Sequence, residues 1–258
     1  MAYKTVFWAS WTAKLWVICY NRKRTRKKEM DRVTVSIFCG HPDLENSSSH
    51  QFLRAACPEE IHFIPIPTDY DEHFIQESQE ILLKSERIYL QFPLYWYQAP
   101  GHLVQWLQDL LSDDFLDQNG KRLVGKSLGL IVTVGSPLSY YQAGGKNNVS
   151  LSTLFSPYQT LCQTLKWEFL PAFILSQYHY LSEADQFKHY VAFQYYLLNP
   201  KRGGFSQRSR WLIDRLRSRQ EDFSPELSSK VDLLIDAWEG RLDELEMLDA
   251  ELPKTTRH

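Results

Sequence analysis

The sequence predicts an α/β fold, in which a doubly wound, five-stranded parallel sheet is followed by a C-terminal helical extension. Short apolar runs, typical of strands buried on both faces, recur five times between residues 33 and 175. Segments with helical spacing of apolar residues separate these runs. A hydrophobic content of 43% and a charged content of 23% are typical of a globular protein with a full core.

The first two strands flank the first helix. Residues 33–39 are predicted to form a buried strand, and a polar turn leads from it into a helix at 49–57. The second strand, 61–66, contains Pro65. Because proline cannot donate to a strand ladder, we expect this strand at an edge of the sheet.

The third strand ends in an unusual loop. A helix at 73–85 precedes the strand at 87–92, which Pro93 ends because it lacks a backbone donor. Residues 95–97, Tyr, Trp and Tyr, come directly after this stop, and Pro100 opens the next helix. Ligands bind at the carboxyl ends of strands in open α/β sheets, so this loop is a candidate ligand site. A hydrophobic turn that packs on its own helix is the alternative.

The second half of the sheet follows the same alternation. A helix with an apolar face at 103–111 leads into residues 112–126, which are predicted to be a polar loop. Residues 128–134 are the most continuous apolar run and therefore predict a central strand. After a glycine-rich loop, the predicted elements are a helix at 151–165, a strand within 167–175 and a helix at 183–198.

The α/β domain is expected to span 31–204 and a helical hairpin to span 205–258. A first tail helix is predicted around 211–216. Ser224 is a typical N-cap for the second tail helix, with a proline at the first helical position and a glutamate near the positive helix end.

Residues 1–30 differ from the rest of the chain. An aromatic stretch interrupted by Lys14 precedes basic residues at 22–28, the reverse of the order in a signal peptide. We interpret the segment as an N-terminal extension created by a start assigned too far upstream, with Met30 as the true start. An interfacial helix with a polybasic flank, which would bring the protein to the inner face of the cell membrane, is the alternative.

The charge and the cysteines exclude several classes of function. The formal net charge of -2 provides no basic field for nucleic acid. The four cysteines show neither metal-ligand spacing nor a disulfide framework, so no metal site is expected. Free cysteines are typical of the reducing cytoplasm, where we expect the protein.

Three loops at strand ends combine into one site in this sheet. After the first strand, residues 46–50 offer hydroxyl groups at a helix N-terminus, which can hold a phosphate, although an ordinary N-cap serine cluster is the alternative. The aromatic loop offers rings that stack on a flat heterocycle. After the fourth strand, Gly135, Gly144 and Gly145 let the backbone approach a ligand closely. In a sheet of order 2-1-3-4-5 these loops meet at the switch point.

The segment QFPLYWYQAP, residues 91–100, resembles the signature of the flavodoxin-like NAD(P)H:quinone reductase family. The resemblance extends through GHPDLENSSSHQFL and TVGSPLSYYQAGGKN and covers about residues 33–200. Within the family, the chain is similar to the ancillary proteins of glutathione-regulated potassium efflux systems. The resemblance implies a flavin-dependent NAD(P)H oxidoreductase with two-electron hydride transfer. The alternative it implies is a regulatory subunit of a potassium-efflux antiporter with little need for turnover.

The resemblance also implies roles for individual residues. The flavin phosphate and ribityl chain would be held by one loop, namely His41, Ser47, Ser48, Ser49 and His50. The isoalloxazine would be lined by Pro93, Leu94, Tyr95 and Trp96, and on its other side by Thr133, Val134, Gly135 and Ser136. Tyr141 would be catalytic, at the place where charge builds on the reduced flavin. The family usually has threonine, glycine and asparagine where this chain has Val134, Ser136 and His50.

Cofactor and partners follow from the same resemblance. FMN is expected, with FAD as the alternative, and NAD(P)H is expected as co-substrate. The acceptor would be a quinone-like small molecule. A homodimer is expected because rings exposed beside the flavin would otherwise leave an apolar patch that is large for a monomer. A membrane potassium-efflux antiporter is a further candidate partner.

Overall fold

A computed structural model of the protein describes residues 34–199 and 203–251. The predicted N-terminal extension lies outside the described residues. The described residues fall into two compact units, an α/β unit and a C-terminal unit, divided between Leu197 and Leu198.

The α/β unit is built on a parallel sheet of order β2-β1-β3-β4-β5, with β6 also paired to β4. Its strands are β1 (Val35–Cys39), β2 (His62–Pro65), β3 (Arg87–Pro93), β4 (Ser127–Val134), β5 (Glu168–Phe169) and β6 (Phe173–Ser176). The predicted order 2-1-3-4-5 is therefore confirmed, and so are the edge position of β2 and the end of β3 at Pro93.

Helices cover both faces of this sheet. They are α1 (Ser48–Ala56), α2 (Glu72–Lys84), α3 (Gly101–Leu110), α4 (Asp113–Leu123), α5 (Leu151–Leu154), α6 (Ser156–Leu165) and α7 (Glu183–Leu198). Alternate strand residues face opposite sides. Phe38 belongs to the core that includes Trp106 of α3, whereas Ile37 belongs to the core that includes Leu53 of α1 and Phe193 of α7.

The prediction of a polar loop at 112–126 is wrong, because α4 occupies most of this segment. Ser112 stands at the N-cap position, two aspartates lie in the first turn and two basic residues lie in the last turn. These charges complement the helix dipole. Phe115 and Leu123 bury one face of the helix.

Two other predicted elements are each divided in two. The helix predicted at 151–165 is interrupted at Phe155, because Pro157 near the start of α6 has no N–H to donate. Pro171 similarly separates β5 from β6. Both short strands pair in parallel with β4, so together they fill the fifth position of the sheet.

The C-terminal unit is the predicted helical hairpin, formed by α8 (Phe205–Arg217) and α9 (Pro225–Glu251). Ile213 of α8 and Ile235 and Leu242 of α9 form its buried core. The ion pairs Arg210–Glu246 and Arg217–Glu239, each 2.8 Å long, join opposite ends of the two helices, which are therefore antiparallel.

Across residues 34–199 and 203–251, the structure contains no helix with both the length and the apolar character that a bilayer span requires.

Candidate functional site

Three loops extend from the carboxyl ends of adjacent strands at the centre of the sheet. They are residues 40–47 after β1, 94–100 after β3 and 135–150 after β4. Backbone hydrogen bonds join the first residue of two of these loops to the neighbouring strand: Gly40 N–H donates to Gln91 O of β3, and Leu94 N–H donates to Thr133 O of β4, each at 2.9 Å. The loops predicted to converge therefore do lie side by side.

His41 is a neutral hydrogen-bond donor in the first loop. Its ring is buried, and its Nδ1 accepts the Asp43 N–H at 2.9 Å, so the ring proton lies on Nε2. Burial holds the pKa of His41 below its ordinary value, and His102 lowers it further against the opposing effect of Asp43. The neutral ring can therefore donate one hydrogen bond from Nε2 without carrying charge.

The first turn of α1 presents free backbone donors. Ser47 occupies the N-cap position but makes no capping hydrogen bond, and its Oγ lies 3.3 Å from Ser49 Oγ. The first backbone bond of the helix runs from Gln51 N–H to Ser47 O at 2.9 Å. The N–H groups of Ser48, Ser49 and His50 consequently have no partner within the helix. Because Ser47 does not cap the helix, this arrangement favours an anion site over the alternative of an ordinary N-cap serine cluster.

The side chain of His50 points to the interior of the protein. Its Nε2 lies 2.8 Å from Cys39 Sγ, and its ring centroid lies 4.3 Å from that of His41. Burial lowers the pKa of His50 to about 3 and raises the pKa of Cys39, so both groups are neutral. His50 is one of the residues predicted to hold the phosphate. Only its backbone N–H is available for this, because its ring packs in the interior against Cys39.

Three buried polar atoms near this pair lack partners within the described residues. They are His50 Nδ1 and both polar atoms of the Gln91 side chain. In the register of β1 and β3, Gln91 is the partner of Cys39, so Gln91 lies at the same end of the sheet as Cys39 and His50. Buried polar atoms are almost always hydrogen-bonded, so these three atoms are suited to bind a polar group of a ligand.

The aromatic loop is a strained two-residue turn. Tyr95 N–H donates to Gln98 O at 2.9 Å, and Gln98 N–H donates to Tyr95 O at 3.0 Å. Between them, Trp96 and Tyr97 have φ values of 47° and 68°, the conformation of a type I′ turn that normally contains Asn or Gly. The Trp96 side chain is 90% exposed. Trp96 therefore does not pack on its own helix, and strain of this kind is typical of functional sites.

Replacing Trp96 by alanine is expected to weaken binding of a flat ligand and to leave stability nearly unchanged. The exposed ring packs on nothing that would be lost, whereas stacking contributes about 0.5–1.5 kcal/mol, or roughly a twofold to twelvefold change in affinity. Fluorescence titration with FMN and a thermal melt would measure the two quantities. Phe205→Ala removes an exposed aromatic ring of α8 and is the control. Equal FMN affinities in wild type and Trp96→Ala would remove Trp96 from the site.

The loop after β4 combines open space with tight packing. Thr133 and Val134 end the strand inside the protein, whereas Gly135 is exposed and Ser136 is half-buried. A Cβ placed on Gly135 would meet no atom within 4 Å, while one on Gly145 would lie 2.5 Å from a backbone oxygen of the same loop. Gly135 therefore lines a free space, and Gly145 is required by the packing of the loop itself.

Tyr141 connects this loop to the aromatic turn. It ends the short 3₁₀ helix Leu138–Tyr141, and its ring lies edge-on to that of Tyr97, with centroids 6.5 Å apart. The Tyr97 hydroxyl also donates to Asn147 Oδ1 at 3.5 Å. The predicted catalytic tyrosine is thus placed beside the aromatic turn.

Sequence reasoning missed several residues of this region. One is His179, both ring nitrogens of which lie 3.4 Å from Ser48 Oγ. The others are Cys39 and Gln91, for which the sequence predicts only a place in a strand. Groups of three or more potential metal ligands are absent from the described part of the chain.

Comparisons with known proteins match the α/β unit. The family described as having a flavodoxin-like fold matches residues 34–194. The uncharacterized NAD(P)H oxidoreductase YrkL of Bacillus subtilis is 35% identical over 150 residues, which cover 56% of this chain and 86% of the relative. The glutathione-regulated potassium-efflux system ancillary protein KefG of Erwinia tasmaniensis is 27% identical over 172 residues, or 64% of this chain and 93% of KefG. A solved NADPH-quinone reductase from P. pentosaceus superimposes with a TM-score of 0.61 at 31% identity, covering 65% of this chain and 99% of that chain.

Proposed function

The chain belongs to the family with the flavodoxin-like fold, and we propose that it is a flavin-dependent NAD(P)H oxidoreductase of the quinone reductase type. The convergence of three loops carries this proposal: free amide donors after β1, an exposed aromatic turn after β3 and an open glycine after β4. The names of YrkL and of the NADPH-quinone reductase from P. pentosaceus support the same activity.

The residues after β1 fit the phosphate and ribityl chain of FMN. The free N–H groups of Ser48, Ser49 and His50 lie at the positive end of α1, where a phosphate is stabilised without lysine or arginine. His41 Nε2 adds a neutral donor. The buried atoms of Gln91 that lack protein partners would gain them from a polar chain such as ribityl. FMN is proposed over FAD because residues 34–199 and 203–251 show no feature that specifies an adenosine.

The other two loops fit the flavin ring. Trp96 and Tyr95 would stack near it, Pro93 and Leu94 would lie along its edge, and the open space at Gly135 would let backbone reach its polar atoms. When bound, the flavin would supply two-electron hydride transfer from NAD(P)H to a quinone-like acceptor. The protein would orient the rings, exclude water and stabilise charge through the Tyr141 hydroxyl.

Replacing Tyr141 by phenylalanine is expected to lower kcat roughly tenfold or more and to leave FMN affinity near normal. The change removes only the hydroxyl, and a hydrogen bond to a charged group contributes about 1.5–3 kcal/mol. Steady-state kinetics and an FMN titration would separate the two effects. Tyr140→Phe, the neighbouring tyrosine of the same loop, is the control. A kcat equal to that of the control would exclude a catalytic role for Tyr141.

A stoichiometric assay tests the proposed reaction. In the presence of FMN, the protein should oxidise one NADH or NADPH for each benzoquinone reduced to the hydroquinone, as a two-electron transfer requires. Parallel assays with the two nucleotides would identify the preferred donor. Oxidation that does not depend on FMN would contradict the proposal.

The similarity to KefG supports a second candidate function, a regulatory subunit of a potassium-efflux antiporter at the inner face of the membrane. This role needs the fold but little turnover. If it is the main role, a variant that cannot bind flavin should still restore control of potassium efflux to cells that lack the ancillary protein.

A further inference from the structure

The helix α9 carries a coiled-coil pattern. Its apolar residues recur at alternating four- and three-residue intervals, namely at Leu227, Val231, Leu234, Trp238, Leu245 and Leu248. Arg241 takes the remaining place in the series. Three heptads with this a/d spacing are typical of helices that associate side by side. We refer to these positions as the α9 stripe.

The hairpin leaves most of this stripe exposed. The fully buried residues of α9, Ile235 and Leu242, lie beside the stripe, whereas Val231 and Trp238 of the stripe itself pack against the same core. Leu227, Leu234, Leu245 and Leu248 remain 45%, 54%, 47% and 58% exposed, although Val231 and Trp238 are partly buried. The exposed leucines extend over 21 residues, or about 32 Å of helix. An apolar face of this length is the usual mark of an interaction surface.

Charged residues along the edge of the stripe indicate which partner binds to it and in which orientation. Lys230, Ala237 and Glu244 lie seven residues apart, so they form a line beside the stripe with a positive charge at one end and a negative charge at the other. An antiparallel second copy would bring each Lys230 against Glu244 of the other helix. A parallel copy would instead bring Arg241 against Arg241 of the other helix, which like-charge repulsion disfavours.

We propose that the α9 stripe is an interface with a second copy of this chain, whose α9 lies antiparallel. Within α9, Lys230 forms an exposed ion pair with Glu226 at 2.8 Å. Exposed ion pairs are weak, so Lys230 can leave Glu226 and pair with Glu244 of the second copy at little cost in free energy. The stripe lies beyond the residues matched by the flavodoxin-like family, and none of its residues is among those proposed for the flavin site.

Light scattering of the full-length protein at micromolar concentration tests the surface. Leu234→Glu is expected to halve the mass, because it places a charge at the centre of the stripe. Leu233→Glu changes the neighbouring leucine, which is 70% exposed but lies off the stripe, and should keep the wild-type mass. Circular dichroism of both variants would confirm that the hairpin is folded. A wild-type mass of 30.4 kDa, or the same mass in both variants, would overturn the proposal.

A charge exchange tests the antiparallel orientation. Lys230→Glu and Glu244→Lys alone should each weaken association, roughly fivefold at low salt, and the double variant should return close to wild type. Within one helix these residues are 14 positions, or about 21 Å, apart, so only a contact between copies can produce the rescue. Weakening that persists in the double variant would exclude the antiparallel arrangement.

Discussion

Replacing Gly135 by valine is expected to reduce flavin incorporation sharply while the protein stays folded. A Cβ at this position meets no protein atom within 4 Å, and Gly135 is not among the glycines with a positive φ, so the backbone accepts a side chain. The space that valine would fill is the one assigned to the flavin ring. Overpacking of this kind costs about 1–3 kcal/mol, which corresponds to roughly a tenfold to hundredfold loss of affinity.

Flavin content per polypeptide after purification, together with a titration with FMN, would measure the effect. Gly204→Val is the matched control, because a Cβ at Gly204 also meets no atom within 4 Å but lies outside the α/β unit. The control should retain full flavin content and the same melting temperature. Full flavin content in Gly135→Val would show that the loop after β4 does not contact the cofactor.

Replacing His50 by asparagine is expected to make folding less sensitive to acid. The pKa of His50 is lowered from 6.5 to about 3, chiefly by burial and further by His41. Between pH 6.5 and about pH 3, His50 binds a proton in the unfolded chain but not in the folded protein. The free energy of unfolding therefore falls as the pH falls through this range. At pH 4.5, two pH units below 6.5, this one histidine is expected to cost roughly 3 kcal/mol of stability.

Urea unfolding at pH 7 and at pH 4.5 would measure this dependence for each protein. Asparagine is smaller than histidine and leaves space beside Cys39, so the variant loses some stability at both pH values. The difference between the free energies of unfolding at the two pH values therefore reports the titration of His50. His73→Asn, at an exposed position on α2, should keep the wild-type difference. A difference as large in His50→Asn as in wild type would show that His50 is not held neutral.

The sequence was sufficient for the parts of the fold that depend on local patterns. Apolar runs predicted the strands, and prolines predicted both the edge position of β2 and the end of β3 at Pro93. The end of β3 also predicted that Trp96 would lie outside the core. The helix α4 was missed because its polar composition and Gly120 suggested a loop, although its charged ends favoured a helix.

The interior of the candidate site depended on contacts that a sequence does not contain. The distance between Cys39 and His50 is set by the angle at which α1 leaves β1, and the position of Gln91 is set by strand register. The turn at Trp96 and Tyr97 was also hidden, because a type I′ turn normally requires residues such as Asn or Gly. The roles of the predicted site residues in flavin binding stay predictions.

The absorption spectrum of the full-length protein shows whether the protein binds flavin and whether a pyridine nucleotide reduces that flavin. The protein is saturated with FMN, freed of unbound cofactor and titrated with NADH or NADPH without oxygen. We predict visible flavin bands that copurify with the protein, bleach on addition of one nucleotide equivalent and return when a quinone is added. A protein that retains no flavin, or whose flavin bands are unchanged by both nucleotides, would contradict the account.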